Sequence, residues 1–262
     1  MTHIGSEAAS GKAINERTGD KVYILGVGIS GASLRSVLEK IVQICKSRLK
    51  KPFFIVTVNP EFVMLAQQDN EFKNILNSAN LAIADGAGLK WAHPSLSIVP
   101  GRRLVQRILE QDYRIFFLGG RDEVAKKMAQ QFGGGFSAGH RDIKQFKPIE
   151  SKRNEEDEQI MTEINSFKPD ILLVAYGAPW QEKWIWAHRN QLQVKVAMGV
   201  GGAFDYLTGR AKLPPEWTSN LGLEWVWRLV HEPWRWRRQL NLIKFAGKVL
   251  SGKLRGGGEW SR

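Results

Sequence analysis

The sequence has few cysteines and no long hydrophobic run. Among 262 residues there is a single cysteine, Cys45, which excludes a disulfide within the chain. No apolar run approaches the roughly 18 residues that a membrane-spanning helix needs, so none is predicted. Residues 1–20 lack the basic-then-apolar pattern of a signal peptide and are predicted to form a polar, disordered leader. These absences predict a cytoplasmic protein.

Acidic residues are also scarce, above all near the C-terminus. The chain has 26 acidic and 38 basic residues, and within residues 233–262 eight basic residues accompany a single acidic one, Glu259. The overlapping stretch 222–238 holds four tryptophans and four arginines. Arginine binds phosphate through two parallel hydrogen bonds, and tryptophan settles at membrane interfaces. The pattern favours a hydrophobic partner that carries phosphate, such as a lipid-linked diphosphate. Charge alone leaves open an anionic membrane, a nucleic acid or a solvated tail without a partner.

Apolar, β-branched runs alternate with amphipathic helical patterns along most of the chain. Near-continuous apolar runs are typical of parallel strands that are buried on both faces. The predicted strands are 21–27, 53–58, 81–85, 114–119, 170–177 and 194–200, and the predicted helices between them include 33–49, 122–132 and 154–166. This alternation predicts an α/β, Rossmann-like fold with a mostly parallel sheet and helices on both faces. Ligands of such sheets bind beyond the carboxyl ends of the strands.

A change in composition predicts two structural parts after the leader. Residues 21–211 are predicted to form the α/β domain, and residues 212–262 a basic, Trp/Arg-rich, helical appendage that associates with a membrane. Within the appendage, residues 239–250 interleave apolar residues with Lys244 and Lys248. Such a helix fits a membrane interface, and it equally fits packing against the domain.

The first glycine-rich stretch matches a dinucleotide fingerprint. Gly26, Gly28 and Gly31 have the spacing G-x-G-x-x-G between a predicted strand and a predicted helix. The fingerprint also requires an acidic residue at the end of the next strand, where this chain has Asn59. A nicotinamide-dependent oxidoreductase is therefore only an alternative hypothesis.

Polar residues end two of the predicted strands. Thr57 and Asn59 are placed to contact substrate hydroxyls, although Asn59 before Pro60 is also a typical helix N-cap. Asp85 precedes Gly86, a pair that often marks only a turn. A lone carboxylate at the mouth of an α/β cleft can also act as a general base, so Asp85 is a catalytic candidate.

Glycine-rich loops end three further strands. Gly119 and Gly120 are followed by a helix whose N-terminus suits a phosphate group. The stretch 177–184 and the pair Gly201 and Gly202 end the last two strands, and bare glycine backbone lets a ligand approach closely. Several such loops at one edge of a sheet favour a sugar nucleotide or another phosphorylated substrate.

The motifs in combination resemble one known family. VTVNPEFVMLAQ, ADGAGL, FFLGG, GAPWQEKW, GVGGAFDYLTGR and GLEWVWRLVHEPWRWRR, in this order, are similar to the WecG/TagA/CpsF glycosyltransferases (glycosyltransferase family 26). The likeness covers residues 21–245. It implies transfer of an N-acetylmannosamine-type sugar from a UDP donor to a polyprenyl-diphosphate-linked N-acetylglucosamine. The reaction would invert the anomeric centre, need no metal or other cofactor, and serve synthesis of a cell-surface polysaccharide or a teichoic-acid linkage unit.

The resemblance also implies roles for individual residues. Asp85 would be the general base, and Thr57, Asn59 and Gln181 would bind substrate. Arginines of the appendage would close over the site and hold the diphosphate, namely Arg228, Arg235 and Arg238. The implied partners are a UDP-sugar, the lipid-linked acceptor and an anionic membrane surface, with no nucleic acid. A homo-oligomer is compatible with the family, and its size is not defined by the sequence. The implied location is the inner face of the cell membrane.

Ile98, Arg103 and Trp180 depart from the family pattern. The family motif E-R-V-x-G-x-D-L corresponds here to residues 97–104, where Ile98 replaces an arginine and Arg103 replaces an acidic residue. Trp180 stands where a basic residue commonly precedes the glutamine. These changes lie in the motifs of the expected pocket, so the sugar specificity is not defined by the sequence.

Overall fold

A computed structural model describes residues 21–121, 123–146, 155–212 and 236–254, together with positions 215, 218, 227 and 230. Eight strands lie in these ranges: β1 (Lys21–Ile24), β2 (Val27–Ser30), β3 (Phe53–Val58), β4 (Leu81–Ala84), β5 (Ile115–Gly119), β6 (Gly135–Ser137), β7 (Ile171–Ala175) and β8 (Val196–Gly199). The α-helices are α1 (Leu34–Cys45), α2 (Pro60–Ala66), α3 (Asn70–Ser78), α4 (Gly101–Leu109), α5 (Val124–Phe132), α6 (Glu155–Phe167), α7 (Trp180–His188), α8 (Ala203–Leu207) and α9 (Trp236–Leu254). Two short 3₁₀ helices span Ala87–Trp91 and Ile143–Gln145.

The strands form one sheet in the order β1-β2-β4-β3-β8-β7-β5-β6. Every pair is parallel except β1 with β2. In the centre of the sheet, Ile55 of β3 is level with Leu81 of β4 and with Met198 of β8. The carboxyl ends of the seven parallel strands therefore meet along one edge. The prediction of a mostly parallel α/β sheet is confirmed.

Helices cover both faces of the sheet, and alternate residues of the central strands point into two separate cores. Phe54 and Val56 of β3 pack in the core that includes residues of α2, α3, α6, α7 and α9. Phe53 and Ile55 pack in the core that includes residues of α1, α4, α5 and α8. Strands that are buried in this way on both sides need apolar residues at nearly every position, which is the pattern of the sequence.

The predicted strand 21–27 is wrong in its second half. Residues Lys21–Ser30 form an antiparallel hairpin, with Leu25 and Gly26 at its turn and Gly28 inside β2. Both turn residues have positive φ, 49° for Leu25 and 76° for Gly26, as a tight two-residue hairpin turn requires. In a dinucleotide fingerprint the glycines lie between the strand and the helix. Here two of the three precede or occupy the strand, so the nucleotide loop of that motif is not formed.

The C-terminal helix α9 packs on the α/β domain. Phe245 and Val249 are buried in the same core as α2, and Leu242 lies against Gly88 of the first 3₁₀ helix. The opposite face of α9 is apolar and exposed, with Leu240, Ile243 and Leu250. The structure is therefore compatible with both interpretations of residues 239–250, packing on the domain and contact with a membrane, because one face of α9 is packed and the opposite face is exposed. No helix in the described ranges has the length and apolar character to cross a membrane. The proposed boundary between residues 211 and 212 stays a prediction.

Candidate functional site

The sequence-predicted site residues that follow strands lie along the carboxyl edge of five neighbouring strands. Across the sheet, Asp85 follows β4, Asn59 follows β3, Gly201 follows β8, and Gly177 follows β7. Gly119 ends β5, the next strand. Residues that are far apart in sequence therefore share one rim, which is where open α/β sheets bind ligands.

Asp85 and Thr57 converge on the first residue of α4. A Cβ on Gly101 would lie 3.4 Å from Asp85 Oδ2 and 3.1 Å from Thr57 Cγ2, so both side chains contact this bare backbone. The chain reaches this point because Val99 N–H donates to Ala84 O, a bond of 2.8 Å that lays the segment before α4 beside the end of β4. Thr57 is buried, whereas Asp85 is half-buried. A partly accessible carboxylate at the carboxyl end of a strand is suited to accepting a proton from a bound alcohol.

Asn59 has the capping role that its position before Pro60 predicted. Its Oδ1 accepts a hydrogen bond of 3.0 Å from Phe62 N–H at the start of α2. Capping uses this oxygen, so the predicted contact with substrate would use the Nδ2 group. That contact stays a prediction.

Gln181 joins two of the rim loops. Its Oε1 accepts from Gly177 N–H at 3.1 Å and from Gly201 N–H at 2.9 Å, and its Nε2 donates to Glu182 Oε1 at 2.7 Å. The side chain is 2% exposed. The structure therefore gives Gln181 a role in holding the loops, and its direct contact with substrate stays a prediction.

The glycine loops differ in how much space surrounds them. At Gly119, φ is 82° and a Cβ would lie 2.7 Å from the Tyr176 ring; at Gly120, φ is 88° and a Cβ would lie 3.3 Å from Val124. These two glycines are required by close packing. Gly201 has φ of 51°, and no atom of the described residues lies within 4 Å of the position that a Cβ would take there; Gly202 is the N-cap residue of α8. Close packing within the described ranges thus does not explain the glycine at Gly201, and nucleotide binding by either pair stays a prediction.

The predicted diphosphate-binding arginines cannot be placed from the structure. Arg228 and Arg235 lie outside the described residues, and so does the side chain of Arg238, whose backbone belongs to α9. Their roles stay predictions. A related absence concerns metals: within the described ranges, no group of three or more His, Cys, Asp or Glu side chains is arranged to hold a metal ion.

The three departures from the family motifs have distinct surroundings. Ile98 is half-buried and forms a β-bridge with Ala84, directly before Asp85. Arg103 is exposed, whereas its neighbour Arg102 lies over the Tyr206 ring of α8, with 5.9 Å between the guanidinium carbon and the ring centroid. Trp180 begins α7. Of the two arginines, Arg102 is therefore the one held against the domain.

Sequence reasoning missed the most deeply buried acid of the rim. Glu182 is fully buried, its Oε1 accepts from Gln181, and its Oε2 has no hydrogen-bond partner among the described residues. Burial raises the pKa of Glu182 to about 7. In the sequence, Glu182 is marked by its place beside the predicted Gln181 in the stretch 177–184.

A second polar network lies on the same side of the sheet and was also missed. His140, after β6, has Glu156 Oε2 at 3.0 Å from Nδ1 and Asp157 Oδ1 at 2.7 Å from Nε2. Trp184 Nε1 donates to the same Asp157 oxygen at 2.7 Å. Burial lowers the pKa of His140, but hydrogen bonds and charge from the two carboxylates outweigh it and raise the pKa above its usual value. This network joins the β6 loop to α6 and α7, and Tyr176 connects it to Gly119.

Comparison with known proteins identifies the family. Residues 22–258 match the family described as "Glycosyl transferase WecG/TagA/CpsF family". The chain is similar to the N-acetylglucosaminyldiphosphoundecaprenol N-acetyl-beta-D-mannosaminyltransferase of Staphylococcus aureus (strain MRSA252), with 31% identity over 245 residues, 89% of this chain and 93% of that protein. It is 33% identical to the protein of the same name from Bacillus subtilis (strain 168) over 214 residues, 75% of this chain and 78% of that protein. The rim of strand-end residues and these matches agree: the chain belongs to the WecG/TagA/CpsF glycosyltransferase family.

Proposed function

We propose that this glycosyltransferase moves an N-acetylmannosamine-type sugar from a UDP donor to a polyprenyl-diphosphate-linked N-acetylglucosamine. The sugar and the acceptor are those in the names of the two relatives, which match most of the chain. The UDP donor and a role in a cell-surface polysaccharide or teichoic-acid linkage unit follow from the family resemblance. The observation that carries the proposal is the convergence of Asp85 and Thr57 at Gly101, on the rim where α/β sheets bind their ligands.

The proposed reaction is a direct displacement. Asp85 accepts the proton of the acceptor hydroxyl as its oxygen forms a bond to the anomeric carbon of the donor sugar. The bond from that carbon to the UDP oxygen breaks at the same time, and UDP leaves with its bonding electrons. Attack from the side opposite to UDP inverts the anomeric centre. A positioned general base contributes roughly 10²- to 10⁴-fold in rate.

The leaving diphosphate needs positive charge on the opposite side of the sugar. We assign this task to Arg228, Arg235 and Arg238, because arginine binds phosphate oxygens through two hydrogen bonds. Charge stabilisation of this kind acts where negative charge develops in the transition state. With arginines in this position, the proposed reaction uses no metal.

The exposed face of α9 supports a location at the inner face of the cell membrane. Leu240, Ile243 and Leu250 are 41%, 69% and 62% exposed, and Lys244 and Lys248 are exposed beside them. An apolar stripe flanked by lysines suits the interface of an anionic bilayer, where each basic residue contributes about 1 kcal/mol. The acceptor lipid is confined to that surface, so a peripheral enzyme would meet its substrate there.

An assay with defined substrates tests the proposal. The full chain is incubated with phospholipid vesicles that contain polyprenyl-diphosphate-linked N-acetylglucosamine and with a panel of UDP-sugars, and UDP release and lipid-linked product are measured. We expect UDP release only when the acceptor is present, and fastest with UDP-N-acetylmannosamine. Transfer from none of the UDP-sugars, or UDP release that does not depend on the acceptor, would contradict the proposal.

A further inference from the structure

Two loops of the rim are held together by one buried amide. Gly177 and Gly201 both donate their N–H groups to Gln181 Oε1, although they follow different strands, β7 and β8. A single acceptor oxygen thus fixes the distance between the two loops. Both glycines have positive φ, and among the residues that the structure describes no atom lies within 4 Å of the position that a Cβ would take on either of them.

The amide must have one orientation to make these bonds. If its oxygen and nitrogen exchanged places, the NH₂ group would face two N–H donors and both hydrogen bonds would be lost. Glu182 favours the productive orientation, because Oε1 accepts from Gln181 Nε2 at 2.7 Å. An acceptor at this position is compatible only with the NH₂ group of Gln181 pointing towards it.

The side chains of Gln181 and Glu182 occupy the space beside Gly199, where any other residue of β8 would have its Cβ. A Cβ on Gly199 would lie 2.6 Å from Gln181 Nε2 and 2.6 Å from Glu182 Oε1, so only glycine fits at the end of β8. Glu182 is fully buried and its Oε2 lacks a hydrogen-bond partner among the described residues. An incompletely paired buried carboxyl destabilises a fold. Its presence in the rim indicates a role other than stability.

We propose that Glu182 is a positioning residue for the nucleoside diphosphate of the donor, acting through Gln181 to hold the Gly177 and Gly201 loops at the spacing that UDP requires. The inference rests on the proposed UDP-sugar-dependent function. It assigns Glu182 no contact with the reacting atoms. The loops it holds lie on β8 and β7, between the Asp85 end of the rim and the Gly119 end.

The test is a double-mutant cycle on UDP affinity, measured by calorimetry with the full chain. Glu182→Ala is expected to weaken UDP binding roughly tenfold, the scale on which loss of an orienting partner weakens ligand sites. Gln181→Ala is expected to weaken it to a similar extent. The double variant should be no weaker than Gln181→Ala alone, because Glu182 acts only through the amide. Glu182→Gln keeps an acceptor oxygen and should retain UDP affinity within about threefold.

Control variants distinguish loss of loop positioning by Glu182 from a general destabilisation of α7. Ile185→Val removes a buried methylene from the same helix and should leave UDP affinity unchanged. In the transfer assay, Glu182→Ala should raise the KM for the donor and leave the KM for the lipid acceptor unchanged. If Glu182→Ala does not fold, Glu182→Met fills a similar volume without an acceptor oxygen and must show the loss of UDP affinity, whereas Glu182→Gln must not.

The outcomes distinguish the inference from the function on which it rests. No UDP binding by the wild-type chain would overturn the proposed function and the inference with it. UDP binding by the wild type that is unchanged in Glu182→Ala would overturn the inference alone. The inference would also be overturned if the two substitutions weakened UDP binding independently, so that the fold-losses multiplied in the double variant. An equal loss of UDP affinity in Ile185→Val would overturn it as well.

Discussion

Gly101 lies against the carboxylate of Asp85: a Cβ placed on Gly101 would be 3.4 Å from Asp85 Oδ2. The same glycine begins α4, whose other residues include the buried Leu104, Val105 and Ile108. The position of the proposed base is therefore defined by a helix that is anchored in the core. A side chain at Gly101 could be accommodated only by moving Asp85, Thr57 or the helix.

The first prediction concerns this glycine. Gly101→Ala places a methyl group 3.1 Å from Thr57 Cγ2 and is expected to lower kcat roughly tenfold, because small displacements of catalytic groups are costly. The matched control is Gly31→Ala, since no atom of the described part of the chain lies within 4 Å of the position that its Cβ would take. Steady-state transfer rates measure both. Equal rates for Gly101→Ala and the wild type would show that the contact does not position the base.

The second prediction tests the base itself. Asp85→Asn keeps the shape of the side chain and the backbone bond from its N–H to Val58 O, so folding should be unaffected. Turnover should fall by about 10²- to 10⁴-fold because the amide cannot accept the proton. Asp112→Asn, an exposed carboxylate in the turn before β5, is the control and should retain full activity. Undiminished transfer by Asp85→Asn would remove Asp85 from its proposed role.

The third prediction separates the two faces of α9. Ile243→Ser changes a residue that is 69% exposed and should reduce binding to anionic vesicles while leaving the melting temperature almost unchanged. Phe245→Ala changes a fully buried residue and should destabilise the fold by about 3–5 kcal/mol. Vesicle co-sedimentation and thermal unfolding measure the two effects. Unchanged vesicle binding by Ile243→Ser would argue against α9 as a membrane contact.

The fourth prediction is a pH dependence of stability from the His140 network. The raised pKa of His140 means that its ion pairs contribute fully below about pH 6.5 and that this contribution is lost as pH rises through the folded-state pKa. Burial alone would raise the pKa of Asp157, but hydrogen bonds from His140, His188 and Trp184 outweigh burial, and the pKa is lowered. The contribution of Asp157 to folding stability is therefore present above pH 3.8 and is lost as the pH falls through the folded-state pKa. Stability from the network is therefore greatest between these limits.

The measurement compares thermal unfolding of the wild type and His140→Gln from pH 6 to pH 9. The wild type should lose more stability than the variant over this interval. Ionisation of the buried Glu182 destabilises both proteins in the same direction, so the difference between the two curves reports His140. His93→Gln changes an imidazole whose hydrogen-bond partner within the described ranges is the exposed Ser95 hydroxyl, and it should follow the wild type. Parallel curves for all three proteins would contradict the proposed ion pairs.

Elements with a continuous apolar run were predictable from the sequence. The strand predicted at 53–58 has those bounds in the structure, and all six of its residues are buried, as a central strand covered on both faces requires. The β1–β2 turn was missed because Leu25 adopts positive φ, where asparagine or glycine is the usual signal. Strand β6 was missed because three residues beside a run of glycines resemble a loop.

The part of the candidate site that follows from strand order and direction alone could be predicted from the sequence. Asp85, Asn59 and Gly201 were expected at one rim because they follow parallel strands, and they lie there. The partners of Gln181 could not be predicted, since they depend on how α7 packs against the ends of β7 and β8. The same applies to Glu182, whose burial is a tertiary property and leaves no mark on the local pattern.

The packing of α9 also affects the solubility of the chain. Phe245 and Val249 share a core with apolar residues of α2, against which α9 packs, and Leu242 Cδ1 lies 3.1 Å from the position that a Cβ would take on Gly88. A protein shortened to end before residue 236 would expose this groove to water, in addition to losing the lysine-flanked stripe. Such a protein is expected to self-associate in dilute buffer, and light scattering would show it. The helix that we assign to the membrane surface would thus also keep the enzyme dispersed when it is away from that surface.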